Sequence, residues 1–359
     1  MSLSNFAHRD PMASRSSRFQ KDSPDPSTVF VQPALTTMSV GFMLKPETLI
    51  ANRLCPSVPV TIQSSKYASF PRGYFFRDDM QKRADGAESA GGGFNVDWSN
   101  SYSADVYAFH TDLGPQARAN AQQVDLDRAG TMYCTNKAML KRESLFLGTF
   151  FKTGVWSTEI VGVNSGGGGL ADTTLTWTDA AAKPIKQIKA AIRKQQTAAS
   201  GYKPNKATFS PDLWDIFCEH PNVVSRINAG QTPGGPAEVT TQMAAGWLGL
   251  DEVLVAESVK TTSAENSSNT GVGDTFDFIA PSGQLMLTYT PKAPGIMEPS
   301  AFYFFDWVAD GMVGQFGNAV SRWFIQERKA LRYEIEMATD AKKISADCGT
   351  LMRNFNTAA

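Results

Sequence analysis

The chain has 359 residues, of which 42% are hydrophobic and 11% aromatic, enough apolar material for a globular protein of about two domains. Its formal net charge of −1 excludes a global electrostatic attraction for nucleic acid or anionic membrane, so any such contact needs a local patch. The cysteines are scattered without metal-ligand spacing, which predicts free thiols in a reducing compartment. No signal-peptide pattern opens the sequence, and the uncharged stretch from Ser27 to Leu44 is too polar for a good membrane span.

An N-terminal arm is predicted over residues 1–60. The first 28 residues combine Ser, Asp, Arg and Pro with few large apolar side chains, so they cannot bury enough surface to order alone. From Val29 to Val60 short apolar bursts alternate with prolines, and one short helix is predicted from Leu44 to Leu54, beginning near Pro46. This pattern is typical of an extended arm that lies across another surface.

Residues 61–110 predict a long two-stranded excursion. Tyr67 to Phe76 and Tyr102 to Ala108 have strand-like patterns. Between them lie Gly91 to Gly93 and, before these, seven charges of both signs: Arg77, Asp78, Asp79, Lys82, Arg83, Asp85 and Glu88. Two strands with a charged tip are not stable alone in water, so we expect the loop to lie on another surface.

A single long helix is predicted between Gly114 and Trp156. Asp125 and Asp127 lie at its start, and the cations of its C-terminal half are Lys137, Lys141, Arg142 and Lys152. Apolar residues recur at helical spacing: Leu126, Ala129, Met132, Tyr133, Met139, Leu140, Leu147, Phe150 and Phe151. At about 1.5 Å per residue, the part from Asp125 to Phe151 would extend about 40 Å.

These segments, in this order, resemble the major capsid proteins of tailed bacteriophages, which have the Hong Kong 97-like fold. The resemblance rests on FFRDDMQKRADGAESAGGGFNVD, then YSADVYAFHTDLGPQARANAQQVDLDRAG and the long helix, and it covers about Val29 to Asn356. It implies an α+β fold with an N-terminal arm, an extended β-hairpin loop, a peripheral domain with a long spine helix, and a mixed α/β axial domain. The implied ranges are 1–60 for the arm, 61–110 for the loop, 111–183 and 319–359 for the peripheral domain, and 184–318 for the axial domain.

The segment after the long helix contains two features that suggest a ligand but have simpler explanations. Gly166 to Gly169 lacks the Lys-Ser or Lys-Thr of a phosphate-binding loop, so a surface connection is favoured. Pro184 begins a predicted amphipathic helix whose inner face carries Ile185, Ile188, Ala191 and Ile192, and whose outer face carries Lys186, Lys189, Arg193 and Lys194. A solvated basic face is favoured there, with a nucleic-acid site as the alternative.

The following segments predict a compact mixture of helices and strands. Strands are expected at Ala207 to Phe209, Val253 to Ala256, Phe276 to Ile279 and Leu285 to Tyr289. Helices are expected from Ser210-Pro211 to His220, over Asn222 to Ile227, and from Thr241 to Leu248, while Gln231 to Pro236 predicts a loop. Further strands are predicted near the C-terminus by the alternation of Trp323 and Ile325, of Tyr333, Ile335 and Met337, and of Ile344, Ala346 and Cys348. These are expected to cover the side of the long helix that carries Met139, Leu147 and Phe150.

No motif predicts catalysis, a metal site or a cofactor. Of the three histidines, His8 lies in the arm, and His110 and His220 occupy element ends, where capping or surface roles are favoured. No G-x-S-x-G, H-E-x-x-H or P-loop occurs. Asp78 and Asp79 beside Lys82 and Arg83 are therefore interpreted as intersubunit salt-bridge partners.

The resemblance implies a major capsid protein, a structural subunit and not an enzyme, which forms the hexamers and pentamers of an icosahedral phage head around double-stranded DNA. Its location would be the virion after synthesis in the host cytoplasm, and its partners a portal, a scaffolding protein and decoration proteins. The charged loop tip would contact a neighbouring subunit, and the inner-face DNA contacts would be Arg9, Arg15, Arg18 and Lys21. An encapsulin-like nanocompartment protein and a cytosolic hydrolase remain as alternatives. Some family members crosslink the loop through a lysine, and Lys66 lies near its start, but no crosslink is expected here.

Overall fold

The computed structural model describes residues 45–121, 125–164, 173–228, 239–263, 274–295, 298–308 and 320–356. Within these ranges the backbone forms two compact units: residues 106–138 with 320–337, and residues 45–105 with 139–308 and 338–356. The predicted flexible arm, the Gly166 to Gly169 connection and the Gln231 to Pro236 loop lie outside the described residues.

Strands and helices occur in runs and not in strict alternation, with a run of strands between Glu252 and Arg353, as is typical of an α+β fold. The α-helices are α1 (Ala51–Leu54), α2 (Pro115–Asn120), α3 (Leu126–Phe150), α4 (Pro184–Ala198), α5 (Pro211–Glu219), α6 (Pro221–Asn228) and α7 (Thr241–Leu248). The strands are β1 (Ser57–Val60), β2 (Ser64–Lys66), β3 (Ser101–Ser103), β4 (Asp105–Leu113), β5 (Thr158–Val163), β6 (Thr173–Leu175), β7 (Lys206–Phe209), β8 (Glu252–Val255), β9 (Val259–Thr261), β10 (Phe276–Phe278), β11 (Leu285–Thr288), β12 (Phe302–Trp307), β13 (Val320–Ile325), β14 (Ala330–Lys343) and β15 (Gly349–Arg353).

A six-stranded mixed sheet forms the centre of the larger unit, in the order β6-β5-β15-β11-β7-β8. Strand β11 is buried along its whole length between β15 and β7. The apolar face of α4 is buried as predicted, and it joins the main hydrophobic cluster together with Trp177, Phe209, Phe217 and Phe355. The predicted strands and helices between Ala207 and Tyr289 are confirmed to within one or two residues at each end, apart from the loop outside the described range.

The long helix is confirmed for the part from Asp125 to Phe151, since α3 has 25 residues and ends at Phe150. The prediction of a single helix from Gly114 is wrong, because α2 ends at Asn120 and Ala121 leaves the helical conformation. Its buried face differs from the prediction, because Tyr133 is 47% exposed. The buried row runs in steps of four through Gly130, Cys134, Ala138, Arg142, Phe146 and Phe150. This row contains a glycine and an arginine, so a count of apolar side chains could not identify it.

The smaller unit packs the first half of α3 against strands β4, β13 and β14. Its core joins Leu113, Cys134 and Ala138 to Tyr333, Ile335 and Met337, whose alternation the C-terminal pattern predicted. The helix side that these three residues cover is not the predicted one, which carries Met139, Leu147 and Phe150. At Gly130 an added Cβ would lie 3.3 Å from Leu113 Cδ1, so the small residue lets the helix approach the sheet closely. Strand β13 is present, but Trp323 on it is 43% exposed.

Three local predictions are wrong for reasons that involve the backbone. Tyr67 to Phe76 is not a continuous strand, because Pro71 ends strand pairing and a 3₁₀ helix follows at Arg72–Tyr74. The helix predicted over Leu44 to Leu54 is divided within the described residues into a 3₁₀ turn at Pro46–Thr48 and the separate α1, since Leu49 between them is extended. The strand predicted over Ile344 to Cys348 is not formed, and this segment ends in a 3₁₀ helix at Ala346–Cys348. The following strand β15 enters the six-stranded sheet between β5 and β11.

Candidate functional site

The loop between β2 and β3 is held firmly only at its base. The ring of Tyr102 stacks on Phe305 with centroids 4.5 Å apart, and Tyr67 contacts the same ring at 5.5 Å. Arg72 forms an ion pair with Asp347, with Nη1 2.7 Å from Oδ2. The base of the loop is therefore part of the larger unit's own structure.

Strand pairing in the loop is much shorter than predicted. Beyond the three residue pairs of β2 and β3, one bridge joins Ser69 and Asp97 through two backbone hydrogen bonds of 2.8 Å. The segment between Phe75 and Asn95 has no regular structure apart from a turn at Asp85 and Gly86. This part of the loop has no hydrogen-bonded partner strand to support it.

All seven charged residues of the tip are exposed: Arg77, Asp78, Asp79, Lys82, Arg83, Asp85 and Glu88. Within the described part of the chain none of them forms an ion pair, and Arg77 lies 6.0 Å from the ring centre of Tyr74. The structure therefore brings these charges together on one segment without pairing them.

The same segment exposes large apolar side chains, which the sequence analysis did not assign to a site. Met80 is 93% exposed, and Phe76, Phe94 and Trp98 are each more than half exposed. Phe75 contacts Phe94 with ring centroids 5.6 Å apart, so part of this surface is an aromatic cluster. Exposed apolar patches of this kind mark interaction surfaces. The sequence signal for this surface was a high density of aromatic residues without alternation. It was interpreted as part of a strand.

Below the loop base lies an open cleft of about 970 Å³ with mainly apolar walls. Aromatic side chains from the loop and from the body line it: Phe70, Phe75, Tyr202, Tyr303 and Phe305. Of its charged lining residues Arg72, Glu298 and Asp347, the first and last are paired with each other, and burial raises the pKa of the Cys348 thiol. A thiol with a raised pKa is a poor nucleophile at neutral pH.

A second group of residues, which we call the polar clamp, is buried on the C-terminal half of α3. Arg142 forms a two-pronged ion pair with Asp306, with N–O distances of 2.9 and 3.2 Å, and both side chains are almost completely buried. Its Nε donates to Asn52 Oδ1 at 2.7 Å, and its guanidinium lies 3.8 Å from the ring centre of Phe304. Ser57 donates a hydrogen bond to Asp306. The sequence analysis counted Arg142 only among the cations of the C-terminal half of the helix, because charge counting cannot detect a partner 164 positions away.

The neighbouring Glu143 is fully buried and completes the polar clamp. Its carboxylate accepts hydrogen bonds from Ala51 N at 2.8 Å, from Ile50 N at 3.2 Å and from Ser258 Oγ at 3.1 Å. Burial raises the pKa of Glu143, although these donors oppose the shift. The two backbone groups belong to the first turn of α1, whose amides have no partner within the helix. The clamp thus fixes residues 50–57, and with them the parallel pairing of β1 with β12.

The remaining sequence candidates have structural roles or lie outside the described ranges. His220 is buried, and its Nδ1 accepts a hydrogen bond from Asn222 N at the start of α6, so the predicted capping role is confirmed. His110 is exposed. Among the described residues no cluster of potential metal ligands occurs, and no helix is long and apolar enough to cross a membrane. The predicted DNA contacts Arg9, Arg15, Arg18 and Lys21 are outside the described residues.

Comparison of the sequence with protein-family models and with curated proteins gave no match. Solved structures do match. A phage-related protein from Bordetella bronchiseptica RB50 has a TM-score of 0.64 at 17% identity, over 88% of this chain and 95% of that chain. The capsid of cyanophage P-SCSP1u has a TM-score of 0.55 at 11% identity, over 91% of this chain and 93% of that chain.

The chain has the Hong Kong 97-like fold. The fold implied by the sequence resemblance is thereby confirmed. The SrpI encapsulin from Synechococcus elongatus PCC 7942 shares this fold with the chain, with a TM-score of 0.52 at 12% identity over 94% of this chain and 98% of that chain. By the sequence resemblance, α3 corresponds to the implied spine helix and the segment between β2 and β3 to the implied extended loop.

Proposed function

We propose that this chain is the major capsid protein of a tailed bacteriophage. In this role copies of the chain form hexamers and pentamers of an icosahedral head that encloses double-stranded DNA. The observation that carries the proposal is the extended loop: it exposes Phe76, Met80, Phe94 and Trp98 on a subunit whose two units have their own packed cores. Apolar side chains in such numbers gain stability when a second copy of the chain covers them.

The contacts within the subunit indicate which parts hold its shape and which part is left to contact a neighbour. The sheets, the spine helix and the polar clamp hold the shape of the subunit, while the loop contacts a neighbour. The tip charges from Arg77 to Glu88 would select the correct neighbour and register, because mispaired like charges at an interface cost several kcal/mol. Many weak contacts of this kind, repeated over a shell, give large total stability.

The other proposed partners follow from the capsid role. A portal occupies one vertex, a scaffolding protein guides assembly, and decoration proteins attach outside. The mature location is the virion after synthesis in the host cytoplasm. The role is structural and not enzymatic, in keeping with a cleft in which Arg72 and Asp347 are paired with each other.

An encapsulin-like nanocompartment shell is the second candidate, favoured by the fold shared with the SrpI encapsulin. The two candidates differ in cargo, since a phage head takes up double-stranded DNA and a nanocompartment takes up enzymes. The phage-related protein and the cyanophage capsid have TM-scores of 0.64 and 0.55, above the 0.52 of the encapsulin, and we therefore place the capsid first.

Expression of the full chain, alone and with the scaffold and portal proteins of the same genome, followed by negative-stain microscopy, tests the proposal. We expect closed particles of uniform diameter, and nuclease-protected DNA when the packaging proteins are also supplied. A chain that stays monomeric with scaffold and portal present contradicts the capsid function. Particles that form without phage partners and enclose a host enzyme support the encapsulin instead.

A further inference from the structure

Helix α4 carries an unbalanced set of positive charges. Within Pro184–Ala198 the charged residues are Lys186, Lys189, Arg193 and Lys194, and no acidic residue occurs. The complete chain has a formal net charge of −1, so this helix is a local departure from an otherwise balanced composition. We call the row Lys186, Lys189 and Arg193 the α4 ridge, in which Lys186 and Arg193 are exposed and Lys189 is half-buried.

The direction in which the α4 ridge points is fixed by the opposite face of the helix. Ile185, Ile188 and Ile192 are buried in the main core. The buried Gln195 donates to Cys348 O at 2.7 Å, and Gln187 accepts from Trp177 Nε1 at 2.6 Å. A helix held by both apolar packing and side-chain hydrogen bonds cannot rotate to hide its basic face.

The charges of the α4 ridge are not neutralised by the subunit itself. None of the ion pairs formed between described residues involves its three members. The acidic residues on elements that pack against α4 are engaged elsewhere. Glu159 on β5 lies 3.7 Å from Arg353, and Asp347 lies 2.7 Å from Arg72.

The spacing of the α4 ridge suits a regular polyanion. Lys186 and Arg193 are seven residues apart, which at about 1.5 Å per residue is about 10 Å along the helix axis. Duplex DNA carries one phosphate per about 3.4 Å along each strand, so this length corresponds to about three phosphates. Three cations on a rigid face can therefore contact three phosphates without any contact to the bases.

We propose that the α4 ridge binds the phosphate backbone of double-stranded DNA independently of sequence. This inference rests on the proposed capsid function, in which packaged DNA is the polyanion at hand. An acidic protein segment is the competing occupant, and the experiment below distinguishes the two.

The test uses the full-length chain with Lys186→Gln, Lys189→Gln and Arg193→Gln combined. A matched control combines Lys152→Gln, Lys260→Gln and Lys292→Gln, which removes the same charge from exposed positions on other elements. Binding of a labelled random-sequence duplex is measured over a series of salt concentrations. We expect the slope of log K against log salt to become less negative by about 3 in the ridge variant, since each lost phosphate contact removes about 0.9, and to change by less than about 1 in the control.

Equal changes in the two variants, or no DNA binding by the unsubstituted chain, would overturn the inference. Poly-glutamate that is bound more tightly than DNA and is released by the ridge substitutions would also overturn it, in favour of an acidic protein partner. Circular dichroism and melting check that both variants fold. Particle formation is scored separately by microscopy, so a chain that binds DNA but forms no shell contradicts the proposed function and not the DNA contact.

Discussion

Arg142 and Asp306 form an ion pair that water scarcely reaches, and this determines what each contributes to stability. Two charges removed from water lose their hydration, and the loss is repaid only if both partners remain. The ring of Phe304 and the side chain of Asn52 complete the surroundings of the guanidinium. Removal of one member should therefore destabilise the subunit much more than removal of both.

Asp306→Asn is expected to lower the free energy of unfolding by about 3–5 kcal/mol, because Arg142 is left buried without a counter-charge. The double variant Arg142→Met with Asp306→Leu should recover most of this loss. The measurement is urea denaturation of the unassembled subunit. As a control, Glu252→Gln at the partly exposed pair with Arg53 should cost less than about 1 kcal/mol. Similar losses in Asp306→Asn and Glu252→Gln would mean that Arg142 is hydrated in solution.

The raised pKa of the buried Glu143 side chain predicts that the stability of the subunit depends on pH. Because burial raises its pKa in the folded state, the folded chain holds a proton in the window between the usual glutamate value and the raised one, while the unfolded chain does not. The contribution of Glu143 to stability is therefore greatest below that window and falls as pH rises through it.

The variant Glu143→Gln removes this titration, so the unfolding free energy of the unsubstituted chain relative to the variant should fall as pH rises from about 4.3. Other groups titrate alike in both proteins and cancel in the difference. Chemical denaturation at several pH values measures it. A constant difference would show that the hydrogen bonds to the carboxylate balance its burial, and a difference that grows with pH would show that they outweigh it.

At the scale of elements, the extended loop and its base have separate roles. The base contributes Tyr67 and Tyr102 to a small cluster with Phe305, whereas the tip is exposed throughout. Exposed, unpaired charges contribute little to folding, at most about 1 kcal/mol each. Folding and assembly should therefore be separable within one chain.

Replacement of Arg77 to Glu88 by a short Gly-Ser link should leave circular dichroism and melting of the subunit nearly unchanged and abolish shells. The reason is that the deleted side chains contact little of their own subunit. Melting and negative-stain microscopy are the two readouts. If the deletion unfolds the subunit, or if shells form normally, the loop is not an intersubunit arm.

Point substitutions divide this effect between charge and apolar contact. Reversal of Lys82 and Arg83 to Glu should weaken assembly more at low salt than at high salt, because screening acts over about 10 Å at 0.1 M. Phe76→Ser with Met80→Ser should weaken assembly at every salt concentration, because apolar burial does not depend on screening. Assembly yield across a salt series, measured by light scattering, separates the two.

For the whole molecule, the proposed shell depends on many noncovalent contacts and not on a covalent network. Lys66 is exposed on β2, next to the loop, where a crosslinking lysine would lie by family resemblance. We nevertheless expect boiled, denatured particles to migrate as one band near the 39.0 kDa of the chain. A ladder of multimers on the gel would contradict this expectation, and mass spectrometry would then identify the joined residues.

The sequence by itself determined those helices and strands whose pattern of apolar side chains repeats within a few residues. The extent of α3, the buried face of α4 and the Tyr333, Ile335 and Met337 alternation all follow from the period with which side chains repeat. The order of segments was also enough to suggest the fold, because arm, loop, helix and mixed unit follow one another along the chain. The exposed charges at the loop tip were predictable for the same reason, since hydration of charge is a local property.

The tertiary structure alone decided which distant residues meet. Asp306 reaches Arg142 across 164 positions and Ala51 reaches Glu143 across 92, so neither partner can be inferred from its neighbours in sequence. The position of β15 between β5 and β11 likewise depends on pairing with strands far along the chain. The burial of Gly130 and Arg142 in the row that includes Phe146 follows from what packs against the helix and not from its hydrophobicity. Periodicity tells which side chains share a face, whereas the partner of that face is set by contacts that only the folded chain creates.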